Sequence, residues 1–405
     1  MMQPWFEDAK LGIFIHWGIY AVNGTWESWE FFCERRSYDD YMKQLDGFTA
    51  KNYDPRAWAE LFRKAGAQYA VLTSKHHDGV ALWPTEQSEL NVAKKTPAGR
   101  DLIGPYCEAL REQGLRVGLY FSHLDWSHPD YSSLPVEQRT SKNIQIGNPW
   151  PIAPDSEQWQ RFLKFHRAQL QELSTRYAPD LLWFDGDWEQ GNEYWRMDEL
   201  REQLHRWNPQ GVILNSRMKG YGDYETPEQG VPILRPEGIW EFCVTVNDSW
   251  GYQNHDHNHK SPRQIVRMFC ETIGMGGRLL LDIGPREDGT ILPEQIERLE
   301  ARGDWIRKHE AAVVPTTEGL PCGHFYGTST LSKDRRNLYL MFFDRPWDEI
   351  AVKGIRSTVK RVSVVGSGAE LSHRRVGGAE WEENPGVLWI NVPENELDPL
   401  TTVVK

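Results

Sequence analysis

The feature that most constrains this chain is an alternation of two hydrophobic periods. Short, nearly continuous apolar runs recur at residues 11–17 (LGIFIHW), 69–74 (YAVLTS), 116–122 (RVGLYFS), 181–185 (LLWFD), 212–215 (VILN), 240–246 (WEFCVTV) and 278–283 (RLLLDI). Runs of this length without polar alternation predict strands of a parallel sheet, covered on both faces. Between them lie helical stripes. Trp58, Leu61, Phe62 and Ala65 fall at i, i+3, i+4 and i+7, and Trp159, Phe162, Leu163, His166, Leu170 and Leu173 continue a similar face. Pro55, Pro262 and Pro293 each stand where a first helical turn is expected, and there a missing N–H costs nothing. A β-then-α unit repeated about seven times over ~310 residues predicts an α/β fold, a (β/α)8-like barrel with insertions.

The pattern changes after residues 307–310 (RKHE). Helical stripes stop, and β-type runs follow at 337–343 (NLYLMFF), 359–365 (VKRVSVV), 387–392 (VLWINV) and 401–404 (TTVV). Gly, Pro and Asn separate them. This predicts a C-terminal all-β sandwich of under ~100 residues. With the boundary near Val314-Pro315, the barrel spans 1–314 and the sandwich 315–405. A chain of 405 residues suits one large domain plus a smaller one.

Composition narrows the partners. Lys plus Arg is 46 against 58 for Asp plus Glu, a formal charge of -12, which argues against nucleic acid or an anionic membrane. Mean hydropathy is -0.63, and no apolar run is long enough to span a bilayer. The amino terminus reads MMQPWFED, with neither a basic n-region nor an apolar h-region. The five cysteines are odd in number and widely spaced, with no CxxC, as expected of reduced thiols in a cytoplasmic protein. Nineteen Trp is a large number, and a surplus of indoles suits stacking on sugar faces.

In such barrels chemistry sits at the carboxyl ends of the strands. Those ends carry His16-Trp17, Lys75-His76-His77-Asp78-Gly79, Tyr120 leading to His123 and Asp125-Trp126, Asp185-Gly186-Asp187-Trp188, and Asn215-Ser216-Arg217. Residues 223–228 (DYETPE) and Glu241 follow. Carboxylates, histidines, an arginine and aromatic rings thus converge. That mixture suits glycosidic bond cleavage: one carboxylate stabilises an oxocarbenium-like centre, and a second carboxyl protonates the departing oxygen.

Taken together, residues 11–18 (LGIFIHWG), 75–79 (KHHDG), 118–122 (GLYFS), 182–186 (LWFDG), 223–228 (DYETPE), 240–243 (WEFC), 249–252 (SWGY) and 279–290 (LLLDIGPREDGT) resemble, in this order, the α-L-fucosidases of glycoside hydrolase family 29. The resemblance covers residues 4 to 312. It implies a retaining exo-α-L-fucosidase on a barrel-like domain with a C-terminal β-sandwich, needing no cofactor. It also implies a fucosylated oligosaccharide or glycoconjugate as substrate, and leaves a homo-oligomer open. Asp185 matches the family's nucleophile; read without the resemblance, it would as readily cap the next helix, and Asp187 competes with it. Glu228 matches the acid/base in a D-[FY]-x-T-x-E context, with Arg217 as the sugar-binding arginine and Glu241 as an orienting carboxylate. His16, His76, His77, Tyr120 and Trp183 match the fucose pocket. The resemblance also implies further pocket residues, including a Trp, from the loops after the first strand; here that segment, 23–48, holds Trp26, Trp29 and the charged triplet Glu34-Arg35-Arg36, and departs from the family's pattern.

Rival readings attach to the same residues. The adjacent His76-His77 with Asp78, or the H-x-H-x-H at His255, His257 and His259, would suit a metal-dependent barrel hydrolase. The spacing lacks the H-x-H or HExxH geometry in the first case and lies in a polar loop in the second, so no metal is expected. A non-catalytic fucose-binding protein is the remaining alternative. Asp282 reads as structural, Asp288-Gly289 as a turn, and Gly276-Gly277 as a bend or close approach.

Overall fold

The computed structural model describes residues 2–143, 152–345, 348–379, 381 and 384–405. Seven parallel strands, β1 (Leu11–Ile15), β2 (Tyr69–Lys75), β3 (Arg116–Ser122), β4 (Leu181–Asp185), β5 (Ile213–Leu214), β6 (Glu241–Thr245) and β7 (Arg278–Ile283), form one curled sheet in the order β5-β4-β3-β2-β1-β7-β6. Each coincides with one of the seven apolar runs. They are buried along nearly their whole length, as strands wrapped on both sides must be.

The sheet's two edges are joined by residues 223–229. The Asp223 N–H donates to the Leu214 carbonyl at 2.7 Å on one side. On the other, Glu225 N–H donates to Ile239 O (3.0 Å), Glu241 N–H to Glu225 O (2.8 Å), Cys243 N–H to Pro227 O (3.1 Å) and Gln229 N–H to Cys243 O (3.0 Å). The segment therefore runs parallel to β5 and β6 as an irregular eighth stave. Pro227 explains the irregularity, since it has no N–H to give a ladder.

Helices Pro55–Lys64, Ile103–Glu112, Glu157–Tyr177, Met197–Trp207, Pro262–Gly274 and Pro293–His309 follow β1, β2, β3, β4, β6 and β7. Pro55, Pro262 and Pro293 open their helices. The stripe from Trp159 to Leu173 is the buried face of Glu157–Tyr177. Strict alternation fails once. No helix connects β5 to β6, because that stretch closes the barrel and then returns through the Pro- and Gly-bearing loop 230–239. None of the helices is long and apolar enough to cross a membrane, among the described residues.

The amino-terminal end of the barrel is plugged. Helix Pro4–Asp8 inserts Phe6, fully buried, against Tyr69 (centroids 5.7 Å) and Tyr224 (4.6 Å). Gly12 of β1 makes room for this layer, since a Cβ there would lie 2.4 Å from the Tyr69 ring. Above it, Phe14, Val71, Tyr120, Trp183, Cys243 and Leu280 fill the interior.

Strands β8 (Thr316–Glu318), β9 (Gly327–Ser332), β10 (Leu338–Phe342) and β14 (Thr402–Val404) make one antiparallel sheet, and β11 (Glu349–Lys353), β12 (His373–Val376) and β13 (Val387–Asn391) a second. Leu340, Phe342, Ile350, Val352, Leu388, Ile390 and Val404 pack between them. The run 359–365 is a correction to the sequence reading: it forms no strand and pairs only through single bridges such as Val364–Val404. Val362 and Val364 still enter the core, which is what their alternation encodes. The sandwich rests on the last two helices: from Pro262–Gly274 Arg263 Nε donates to Pro399 O at 2.9 Å, and from Pro293–His309 Trp305 Nε1 donates to Thr401 O at 2.8 Å and Lys308 pairs with Asp398 at 2.7 Å.

Candidate active site

The carboxyl ends of the strands form the open mouth of the barrel. Asp185 ends β4, opposite Ser122 of β3. Its carboxylate does not cap the following turn. Instead Oδ1 accepts from Arg217 Nη1 at 2.5 Å and Oδ2 accepts from the Tyr120 hydroxyl at 2.9 Å. The Arg217 guanidinium reaches further: Nη2 donates to Glu228 Oε2 at 2.6 Å. One guanidinium spans both carboxylates, so their bound oxygens lie no more than about 7.5 Å apart, a spacing compatible with the ~5–5.5 Å of a retaining pair. The Asp185 side chain is 12% exposed and that of Glu228 38%, so Glu228 faces the open side. Asp187, the competitor, accepts the Lys219 N–H at 2.8 Å and anchors a loop.

Charge explains the Arg217 setting. Burial by itself disfavours its cation, but Asp185 and Glu228 more than offset that and hold it above its ordinary value. Its guanidinium lies over the Trp183 ring, 4.6 Å from the centroid, a cation–π contact in a water-poor site. Trp183 is the pocket floor: its face stacks on Tyr120 (5.8 Å, 18°), and its Nε1 donates away to Glu241 Oε1 at 2.9 Å.

Three histidines line the rest. His16 Nδ1 shares a 2.6 Å hydrogen bond with Asp282 Oδ1, His76 Nδ1 is bonded to Ser28 Oγ, and His77 Nδ1 meets Ser122 Oγ at 2.6 Å. Burial lowers all three well below the usual histidine range, so they are neutral near pH 7, and each offers both a donor and an acceptor. His77 Nε2 is buried without a hydrogen-bond partner, 3.7 Å from Asp185 Oδ2. An unpartnered buried ring nitrogen beside a carboxylate is an exception in a folded protein and calls for an explanation.

Glu241 lies elsewhere. It opens β6, in the lower layer, fully buried, and receives the Tyr69 hydroxyl, the Trp183 N–H and the Tyr224 hydroxyl (3.3 Å). Burial pushes its carboxyl above the ordinary range. It braces the floor and does not reach the mouth.

The α-L-fucosidase family profile matches residues 1–311. The chain belongs to the α-L-fucosidase family, glycoside hydrolase family 29. It is 33% identical to the tissue α-L-fucosidase of Rattus norvegicus over 343 residues, 77% of this chain and 70% of that protein. The fold superposes on α-L-fucosidase isoenzyme 1 from Paenibacillus thiaminolyticus with TM-score 0.87 and 32% identity, covering 99% and 97% of the two chains. It also superposes on the family 29 α-L-fucosidase from Bacteroides thetaiotaomicron, solved as a covalent intermediate trapped with 2-fluoro-fucosyl fluoride in a Glu-to-Gln mutant (TM-score 0.84, 27% identity, 100% and 96% covered).

The structure also gathers three indoles around these histidines, Trp188 from the end of β4, Trp250 from the 249–252 (SWGY) motif and Trp29 from the segment 23–48. Trp29 and Trp188 lie near-parallel to each other (6.4 Å, 15°), and both meet the His77 ring at close to a right angle (5.5 and 5.9 Å). Trp250 covers His16 at 5.0 Å. Strand-end position pointed to Trp188 and the 249–252 motif to Trp250; for Trp29 the Trp content was the only signal, because tertiary contacts bring the segment 23–48 to the mouth. The remaining carboxylates are structural: Asp125 pairs with the buried Lys75 at 3.1 Å, and Asp78 accepts from the Tyr41 hydroxyl at 2.6 Å. His255 donates to its neighbour Asn254, and His259 to the His257 carbonyl. No group of three His, Cys, Asp or Glu side chains is placed to hold a metal ion, among the described residues.

Proposed function

We infer that this chain is a retaining exo-α-L-fucosidase acting on terminal α-L-fucosyl linkages of oligosaccharides or glycoconjugates. The observation that carries the reading is the Arg217 bridge, which sets one buried and one open carboxylate within reach of a single sugar. Asp185, with an oxygen on each of two donors, is fixed for attack. As its oxygen bonds to C1 of the fucose, the C1–O bond to the leaving group breaks, and Glu228 passes its proton to the departing oxygen. Water then enters from the vacated side. Glu228 takes its proton, the water oxygen bonds to C1 as the bond from C1 to Asp185 breaks, and Asp185 leaves as carboxylate, so C1 ends in its original configuration.

His16, His76 and His77 serve as neutral partners for the sugar hydroxyls, with His77 Nε2 nearest the nucleophile. Tyr120 holds Asp185, Trp183 supplies an apolar floor, and Arg217 keeps both carboxylates in place. Burial raises the Tyr120 hydroxyl well above its usual value, so it stays a donor throughout. The covalent intermediate trapped in the Bacteroides thetaiotaomicron relative supports the double-displacement route. An apolar pocket for the fucose methyl would reject galactose, which carries a hydroxyl there, by only ~100-fold.

The test is labelling. Incubation with 2-fluoro-fucosyl fluoride should arrest the enzyme and leave a 2-fluorofucosyl ester on the Asp185 peptide. A label on another residue, or none on an enzyme that still turns over fucosides, would remove Asp185 from its role.

A further inference from the structure

A row of buried side chains ends on the backbone of Arg217. His123 Nε2 lies 3.1 Å from the Arg217 carbonyl, His123 Nδ1 lies 3.0 Å from His166 Nε2, and His166 Nδ1 lies 2.8 Å from Arg167 Nη1. Both rings are fully buried. His123 is stacked on Phe184 (4.6 Å, 14°), and His166 packs against Phe121 and Trp195. Arg167 is anchored at its other nitrogen by the carbonyls of Trp195 and Arg196.

The chemistry of the donors gives this row one direction. A guanidinium can only donate, so His166 Nδ1 must accept. A neutral imidazole has one N–H, which His166 must therefore carry on Nε2, and it donates to His123 Nδ1. By the same step His123 carries its proton on Nε2 and donates to the Arg217 carbonyl. Neutrality agrees with the setting: burial holds His123 down to about 3 and His166 well below the usual range.

The position of this contact matters. Strand β5 has only two residues, so Asn215-Ser216-Arg217 leaves the sheet with little ladder support. His123 follows β3, and its own N–H donates to the Asp185 carbonyl at 2.8 Å. One residue thus ties the backbone of Asp185 to the backbone of Arg217.

We propose that Arg167, His166 and His123 form a one-way hydrogen-bond relay whose last N–H holds the Arg217 carbonyl, and so aims the guanidinium across Asp185 and Glu228. These are positioning residues; none of them touches the sugar. The inference rests on the reading of Arg217 as the group that holds both carboxylates during turnover.

The experiment has two arms. In the first, the ring nitrogens of the 15N-labelled full chain are observed near neutral pH, with His123 and His166 assigned from the signals lost in His123→Gln and His166→Gln. Both should show a pyridine-type Nδ1 and a pyrrole-type Nε2. An Nδ1–H tautomer or an imidazolium at either residue overturns the relay. In the second, kcat/KM is measured on an aryl fucoside. His123→Phe keeps the ring stack and removes the N–H, and should cost about 10-fold or more. His123→Gln, whose amide can donate from near the Nε2 position, should recover to within about 3-fold of the parent. In an Arg217→Lys background the cost of His123→Phe should shrink below about 3-fold, because interacting residues are not additive. An equal cost in both backgrounds overturns the proposal. A parent that turns over no fucoside would sink the fucosidase reading instead, and the ring-nitrogen spectra would still decide the relay.

Discussion

Replacing Glu241 by Gln separates the carboxyl that braces the floor from the one that handles the proton. In the parent, Glu241 Oε1 accepts from Trp183 Nε1 and Tyr224, and Oε2 accepts from Tyr69. Gln keeps one oxygen for Trp183, which can only donate. Its amide nitrogen faces Tyr69, whose hydroxyl can rotate to accept. Charge-assisted bonds of about 1.5–3 kcal/mol become neutral ones of about 1 kcal/mol, while the desolvation of a buried carboxylate disappears. The two effects oppose, so stability in urea should change by less than about 2 kcal/mol and kcat/KM by less than about 3-fold. Glu241→Leu, in contrast, strands three buried donors and should cost about 3 kcal/mol or more. Glu228→Gln removes the proton donor and should lower turnover of poor leaving groups by roughly 10²–10⁴-fold. The assay is a series of aryl fucosides, with log(kcat/KM) plotted against the pKa of the departing phenol. The slope should steepen in Glu228→Gln and stay at the parent value in Glu241→Gln. A steep slope in Glu241→Gln with a flat one in Glu228→Gln would exchange the two assignments and refute the layer argument.

Three further outcomes follow from other parts of the molecule. Tyr120→Phe strips one of the two donors from Asp185, and a hydrogen bond to a charged group is worth about 1.5–3 kcal/mol. kcat/KM should fall roughly 10- to 100-fold with little change in melting temperature, and an unchanged rate would show the bond idle in turnover. Glu27 is fully buried, accepts the Gly251 N–H at 2.5 Å, and is pushed up by burial to about 7 from 4.5. A raised carboxyl contributes stability that is present below pH 4.5 and lost as pH rises through 7. The advantage of Glu27→Gln over the parent should therefore grow by about 3 kcal/mol between pH 4.5 and pH 8, read by denaturation at each pH. A pH-independent difference would mean that Glu27 is not the buried acid it is taken for. Phe6→Ala empties the barrel plug and should destabilise by about 3–5 kcal/mol while leaving kcat/KM of the folded enzyme near the parent value. A large loss of activity without loss of stability would show that the plug acts on the mouth.

Much of this was legible in the chain itself, for physical reasons that differ by element. A parallel strand buried on both faces needs an unbroken apolar run, so all seven barrel strands could be read directly, and the proline-started helices with them. Because barrel chemistry gathers at strand ends, Asp185, Tyr120, His16, His76, His77, Trp183 and Arg217 were also visible as residues at or near the close of those runs. The C-terminal sheets were read less well. Strand β12 (His373–Val376) is exposed throughout and β9 is mostly Ser, Thr and Gly, so neither carries an apolar alternation. The run 359–365 carries one without becoming a strand.

What the chain alone could not decide is which groups meet. Pro227 and single bridges hide the eighth stave from any periodicity, yet that stave lifts Glu228 to the mouth, while Glu241, thirteen residues on by sequence, opens β6 in the floor. The Trp29–Trp188 stack, the His16–Asp282 bond and the Arg167–His166–His123 row each join residues from different units of the barrel or across a long connection. Side-chain pattern reports which face of an element is buried. It carries no record of what lies on the other side of that face, and closing the barrel is the step that supplies it.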